Sequence, residues 1–284
     1  MAGLRTFGLP DTVNGTDIKG ARALIDAWRA DGAFQILLDR WQRRRLDDAF
    51  EVSRSFFRMP PALKARCVSD LSYSGYLPSG AGEIFLVCPD IPLEDERVRA
   101  QWACHGPVPW PDLVYRRAMR SYLTLLGSIG ETVLKLTGMA IGLPDVDWLT
   151  EDGWHHMQVR NFPVGATQPR ADYGMLVITA HADDTRTLTV SPGEIMQFLT
   201  NGMLRPALYQ ASRHAMVYFH EPNFDTGIRP FAEPAEPQFV HYGTQFTSMF
   251  MQNYPHKPTS RRIVAEDRLA ILAGLARRAS AVTG

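Results

Sequence analysis

The chain has 284 residues, enough to bury a sizeable core as one large domain or two small ones. Lys and Arg number 30, as do Asp and Glu, so no charge field points to nucleic acid or an anionic membrane. No apolar run approaches the ~20 residues needed to span a bilayer, and the N-terminal ten residues carry no apolar signal core.

In chain order, residues 4–10 read as an extended lead-in. Thr16 or Asp17 can cap a helix whose apolar face is Ala21, Leu24, Ile25 and Trp28, stopped by Gly32. Residues 33–38 read as a buried strand. A second helix is expected over 42–57, with a short third between the prolines at 60–61 and Arg66. Residues 72–82, rich in Gly, Ser and Tyr, read as a loop, and 83–88 as a strand. The longest helix is expected over 112–137. Tyr115, Met119, Tyr122, Leu126, Ile129, Val133 and Leu136 form one stripe, with a stop near Gly138. From Trp154 the pattern turns to short strands, at 155–162, 173–180, 186–191, 195–199, 204–209 and 213–219. Helix returns from Glu266. Neither a repeat nor a linker interrupts the chain.

Two stretches carry chemistry. A His-x-Asp pair on a strand puts an imidazole and a carboxylate on one face. With a distant His they make the facial triad of non-haem Fe(II) oxygenases. His181-Ala-Asp183 has that form, and His214, His220 or His241 could be its third ligand; the same residues also read as a polar strand end and turn. Asp172 sits two residues after Arg170, where such a pair would need a His. Cys67, Cys88 and Cys104 have neither metal spacing nor a disulfide pattern and point to a reducing, cytoplasmic compartment. His105 beside Cys104 has no nucleophile arrangement around it.

Several long strings carry a resemblance: Ser69–Tyr76, Cys104–Pro111, Asp152–Met157, Asp172–Ile178, Pro192–Phe198, Tyr218–Phe224, His241–Gly243 and Met249–Met251. In them the chain resembles the isopenicillin N synthase-like Fe(II)/2-oxoglutarate dioxygenases, and within that branch the bacterial ethylene-forming enzymes. The resemblance implies an α+β fold with a double-stranded β-helix (jelly-roll) core. That core is packed against N-terminal helices and a long backing helix, and is truncated by about two strands after Asp184. It implies a single domain over 1–284: an N-terminal helical region at 1–110, the backing helix at 111–153, the jelly roll at 154–230 and a C-terminal segment at 231–284.

The resemblance also implies Fe(II) and 2-oxoglutarate as cofactors and a small-molecule carboxylate as partner. Position by position, Asp172 matches the carboxylate ligand. Arg213 matches the residue that pairs with the distal carboxylate of 2-oxoglutarate, a role suited to a permanently charged, bidentate guanidinium. Phe162 and Tyr173 match cosubstrate-pocket walls, and Phe219 matches a wall on the substrate side; Tyr76, in the loop rich in Gly, Ser and Tyr, reads either as lining a substrate pocket or as part of a surface loop. His155 and His156 match structural positions.

The departures gather at the same place. The histidine positions hold Arg170 and Ala207, and Gln158 stands where the family has a basic residue. The arginine-binding loop is shortened to residues 80–83, and Gln252-Asn253 replaces an Arg-Cys pair. Asp172 can therefore be read as a ligand or as an inherited residue paired with Arg170. Arg213 can be read as holding a bound carboxylate or an internal acid such as Asp172. No catalytic residue is assigned. The sequence supports an iron oxygenase with a changed site, or a metal-free member that binds a small carboxylate, regulates, or does non-redox chemistry. A shortened barrel would expose sheet edges and invite a second copy.

Overall fold

The computed structural model describes residues 3–80, 82–143, 145–163, 172–206, 214–232 and 238–282. Two N-terminal helices form close to their expected spans, although Asp17 makes no side-chain cap bond to the first and the second starts two residues early. Helix α1 (Ile18–Asp31) ends at Gly32, whose φ of 73° lets its N–H reach the Trp28 carbonyl. Helix α2 (Arg40–Phe57) begins with a capping box: Asp39 accepts from the Trp41 and Gln42 amides, and Gln42 reaches back to the Asp39 N–H. Between them runs β2 (Phe34–Leu37), which pairs in parallel with β1 (Thr6–Phe7). A four-residue α3 (Pro61–Lys64) follows.

Residues expected as a loop contain a strand. β3 (Gly75–Ser79) forms a hairpin with β4 (Gly82–Val87). Pro78 fits there because β3 is the sheet edge, where a missing N–H costs no ladder bond. After a one-turn α4 (Glu96–Arg99) comes the backing helix α5 (Leu113–Ile141), capped by Asp112. It runs past Gly138 to a left-handed Gly142. Gly138 is there for close packing, since a Cβ would lie 2.4 Å from the Leu143 carbonyl oxygen.

The later strands are β5 (His156–Asn161), β6 (Leu176–His181), β7 (Asp184–Pro192) and β8 (His214–His220). They join the others in one mixed sheet of order β1-β2-β7-β6-β8-β5-β4-β3. β6 and β7 are a tight hairpin closed by Ala182 and Asp183. A two-stranded sheet of β9 (Gly227–Ile228) and β10 (Val240–His241) stands apart. The expected strand at 195–199 is helix α6 (Glu194–Leu199). A short apolar run cannot be told from a buried helix turn by periodicity, and here the Glu194 and Ile195 amides bond back to the Asp172 and Gly174 carbonyls. Positions 207–213, covering the second half of the strand expected at 204–209 and the start of the next, lie outside the described residues, and residues 204–206 are not in a strand. Helix also begins earlier than Glu266: α7 (Tyr242–Asn253) and α8 (Pro258–Ala265) precede α9 (Arg268–Val282). The α7 cap is His241, which is not a common starting signal.

Register gives the sheet two faces, because directly paired residues point the same way. On one face Met157, Val159, Met216, Tyr218, Ile178 and Ala180 meet the N-terminal helices and α5. Phe85, from the same face, lies 5.0 Å from both Phe56 of α2 and Tyr115 of α5, ring centre to ring centre. The other face carries three rows: His156–Phe219–Val177, Gln158–Val217–Thr179 and Arg160–Ala215–His181. Helix α7 covers the first of these, with Phe246 5.2 Å from His156. No helix of the described residues is long and apolar enough to cross a membrane.

Candidate functional site

The face carrying Phe219 holds several of the residues singled out above, Tyr173, Asp172 and His181 among them. Tyr173, Phe219 and His156 form a parallel stack: Phe219 lies 4.7 Å from Tyr173 and 4.6 Å from His156, both interplanar angles being 7°. The Tyr173 hydroxyl meets His156 Nε2 at 2.7 Å, and the Trp154 carbonyl meets Nδ1 at 3.3 Å. A carbonyl can only accept, so Nδ1 carries the proton and Tyr173 donates to Nε2. Burial pushes the His156 imidazole down to about 3 and the Tyr173 phenol well above its ordinary range. Both groups of this pair are therefore held in their neutral forms by burial.

Beside the stack lies a buried charge pair. Arg160 Nη2 stands 3.9 Å from Asp172 Oδ1, and each residue is only 3% exposed. Gln158 Oε1 accepts from Arg160 Nε at 2.9 Å and Nη2 at 2.7 Å, which fixes the guanidinium. Glu221, fully buried just after β8, accepts from the Met175 amide at 3.2 Å. Burial, reinforced by the charge of Asp172, raises its carboxyl well above the usual carboxylate range, so it stays protonated.

The remaining expected residues are dispersed. Phe162 is half-buried against Gly82, at the start of β4. Tyr76 does not share a wall with Phe219. It pairs with Phe85, on the face that meets α2 and α5, and its hydroxyl donates to Glu83 at 2.7 Å. Lys64 closes that cluster on Glu83. His181 shares the row of Arg160, while Asp183 is exposed in the turn. Among the described residues no third His, Cys, Asp or Glu completes a ligand set with them. His214 faces away, bonded to Ser53 of α2 at 3.0 Å, and His241 is occupied by Thr244 and Asp225. Arg170, Ala207 and Arg213 lie outside the described residues.

Fe(II) does not fit at Asp172. By the family resemblance two of the three ligand positions would fall on Arg170 and Ala207, side chains that do not hold Fe(II). The carboxylate itself already faces the guanidinium of Arg160, which never gives up its proton.

One group of ligand-type side chains does come together, on the opposite face. Glu131 of α5, His155 and His220 place one donor atom each within 4.8 Å of one another. His220 Nε2 lies 3.2 Å from Glu131 Oε1, and Thr150 donates to Glu131 Oε2 at 3.2 Å. Burial would raise the Glu131 carboxyl, but His220 outweighs it and holds the group below its ordinary value. The two imidazoles are stacked at 4.2 Å, and His155 Nδ1 accepts from the Glu221 amide at 3.0 Å. His155 also lines a cleft of about 440 Å³ with Arg116, Arg120 and Tyr218. Sequence reading set His155 aside as structural and did not pair it with Glu131. The contact depends on how α5 lies on β8, which no local pattern records.

Residues 12–113 match the family model described as non-haem dioxygenase in morphine synthesis, N-terminal. The chain is 40% identical over 345 residues to the 2-oxoglutarate-dependent ethylene/succinate-forming enzyme of Ralstonia nicotianae, covering 97% of this chain and 100% of the relative. That alignment is longer than this chain, so part of the relative has no counterpart here. Among solved structures, a 2OG-Fe(II) oxygenase family protein from Caulobacter crescentus superposes with a TM-score of 0.72 at 15% identity, over 89% of this chain and 100% of that one. The dioxygenase for auxin oxidation of rice superposes with a TM-score of 0.67 at 16% identity, over 91% and 99%. At these identities the superpositions establish the double-stranded β-helix fold.

Proposed function

The chain belongs to the 2-oxoglutarate-dependent dioxygenases, the family of the ethylene/succinate-forming enzyme, and from that premise we propose that it binds a small dicarboxylate of the 2-oxoglutarate class on the Phe219 face. The observation that supports this reading is the buried Arg160–Asp172 pair, in which a guanidinium faces the carboxylate that the family resemblance matches to a metal ligand. In this reading Arg213 faces one carboxylate of the ligand, and Phe162, Tyr173 and Phe219 are its walls. Thermal melting in millimolar 2-oxoglutarate or succinate tests it. Stabilisation is expected, and Arg213→Met should abolish the shift while costing the ligand-free protein little. A melting temperature unmoved by these diacids would sink the reading.

A second reading keeps redox chemistry. The Glu131–His155–His220 group offers the carboxylate and two imidazoles that Fe(II) sites use. Metal analysis of freshly purified protein, followed by succinate release from 2-oxoglutarate in air, tests it; Glu131→Gln should remove both metal and turnover. In either reading L-arginine is not a substrate, because Gln252 and Asn253 offer no charge to it. Headspace gas chromatography with Fe(II), 2-oxoglutarate and arginine is expected to show no ethylene above a protein-free control.

The cellular setting in this reading is the reducing cytoplasm, supported by three free, buried cysteines. Nucleic acid is not a partner, given the zero formal charge. Self-association would use the β1 or β3 edge, and Pro78 blunts the latter.

A further inference from the structure

We propose that the cleft between α5 and the sheet is a separate binding site, for a small carboxylate with an apolar body. It lies on the face opposite Phe219 and rests on neither reading above. The cleft holds about 440 Å³, the size of a small-ligand pocket. Val87, Leu123 and the rings of Trp110 and Tyr218 give it an apolar wall. Arg116, Arg120 and Asp90 also line it, two guanidinium groups against one carboxylate.

Charge decides the ligand class. Arg116 and Arg120 are four residues apart on α5, so the helix carries both on the same side, where like charges repel. Asp90 answers the first. Its Oδ2 accepts from Arg116 Nη2 at 3.0 Å and from Trp110 Nε1 at 2.9 Å, and its Oδ1 accepts from the Val108 amide at 3.0 Å. Both oxygens of Asp90 are thus engaged. Among the described residues no carboxylate pairs with Arg120, whose side chain is exposed along the cleft. A carboxylate matches a planar guanidinium with two parallel hydrogen bonds, and a single negative charge balances the one left over. The apolar wall rewards a hydrocarbon or ring attached to that carboxylate, which an inorganic anion does not have.

Calorimetric titration of the full chain with benzoate, in excess EDTA so that no metal ion takes part, tests the proposal. Saturable binding is expected. Acetate, which lacks the apolar body, and benzyl alcohol, which lacks the charge, should each bind at least about tenfold more weakly. Arg120→Gln keeps its helix propensity and should remain folded while losing about tenfold or more in benzoate affinity; Arg120→Lys should retain part of it. Thr124→Glu puts a carboxylate one turn after Arg120 at another exposed position of the cleft, answers the free charge within the helix and should weaken benzoate to a similar extent. Arg213→Met, which removes the cation assigned to the dicarboxylate, should leave benzoate binding unchanged. Absence of saturable benzoate binding overturns the proposal, as does binding that persists at full strength in Arg120→Gln and Thr124→Glu, or that is lost in Arg213→Met. Benzoate binding that depends on Arg120, in a protein whose melting temperature no diacid moves, supports this site and sinks the dicarboxylate reading alone.

Discussion

Gly130 shows how one missing methyl positions a buried imidazole. It lies inside α5, where a glycine costs about 1 kcal/mol of helix propensity relative to alanine. A Cβ at Gly130 would stand 2.4 Å from His220 Nδ1, on a ring that is wholly buried. Gly127, one turn earlier, meets only the Tyr218 hydroxyl, at 3.7 Å. The two therefore respond oppositely to the same substitution. Gly127→Ala is expected to be neutral or to stabilise by up to about 1 kcal/mol. Gly130→Ala should destabilise by about 1–3 kcal/mol, because overpacking a filled core outweighs the propensity gain. Urea denaturation of both variants checks this; equal stability would show that His220 is loosely seated.

Among the elements, α2 is both readable and testable. Its buried positions Leu46, Ala49, Phe50, Ser53, Phe56 and Phe57 follow helical spacing, and its start is set by Asp39. Asp39→Ala removes the acceptor for two backbone amides and should cost about 0.5–2 kcal/mol, with Asp39→Ser restoring most of it. Chemical denaturation followed by far-ultraviolet circular dichroism measures the difference. If Asp39→Ala unfolds at the wild-type midpoint, tertiary packing rather than the cap holds this helix. By contrast α6 is set by its surroundings. Four of its six residues are apolar, and what makes them a helix is the amide-to-carbonyl bonding of Glu194 and Ile195 to the segment before β6.

At the scale of the molecule, buried titrating groups give stability a maximum in pH. Burial pushes His105 down to about 4, His155 to about 2 and His156 to about 3. Unfolded, each titrates near about 6.5. Their stabilising contribution is therefore present above about pH 6.5 and is lost as pH falls, because the unfolded chain takes up protons the folded one refuses. Glu221 has the opposite sign. Its raised carboxyl keeps a proton that the unfolded chain releases above about pH 4.5, so its contribution fades as pH rises. Between about pH 4.5 and 6.5 three histidines outweigh one acid, and stability rises with pH. From about pH 6.5 to 8 Glu221 acts alone among these groups and stability falls. Above that range Lys257, pushed down to about 8 by burial, begins to oppose it. Melting temperature against pH should peak near about pH 6.5, and Glu221→Gln should flatten the limb above the peak. An unchanged upper limb in that variant would show that Glu221 is ionised in the fold.

The sequence by itself determined the N-terminal helices, the backing helix and the last helix, most of the strands and the family. Those depend on periodicity, caps and long strings of residues, all of which are local or linear signals. Where the resemblance expects histidines, the sequence shows Arg170 and Ala207, and those need only be read. Tertiary structure decided what stands beside Asp172. Arg160 reaches Asp172 only because β5 delivers it to the face that Asp172 approaches, twelve residues later in the chain. Tyr76 reads from the sequence as part of a loop that lines a pocket or the surface, yet pairing with β4 turns it toward α2, since each residue along a strand reverses face. Glu131, His155 and His220 meet for the same reason: α5 crosses the sheet where β8 ends, and no spacing in the chain encodes that crossing.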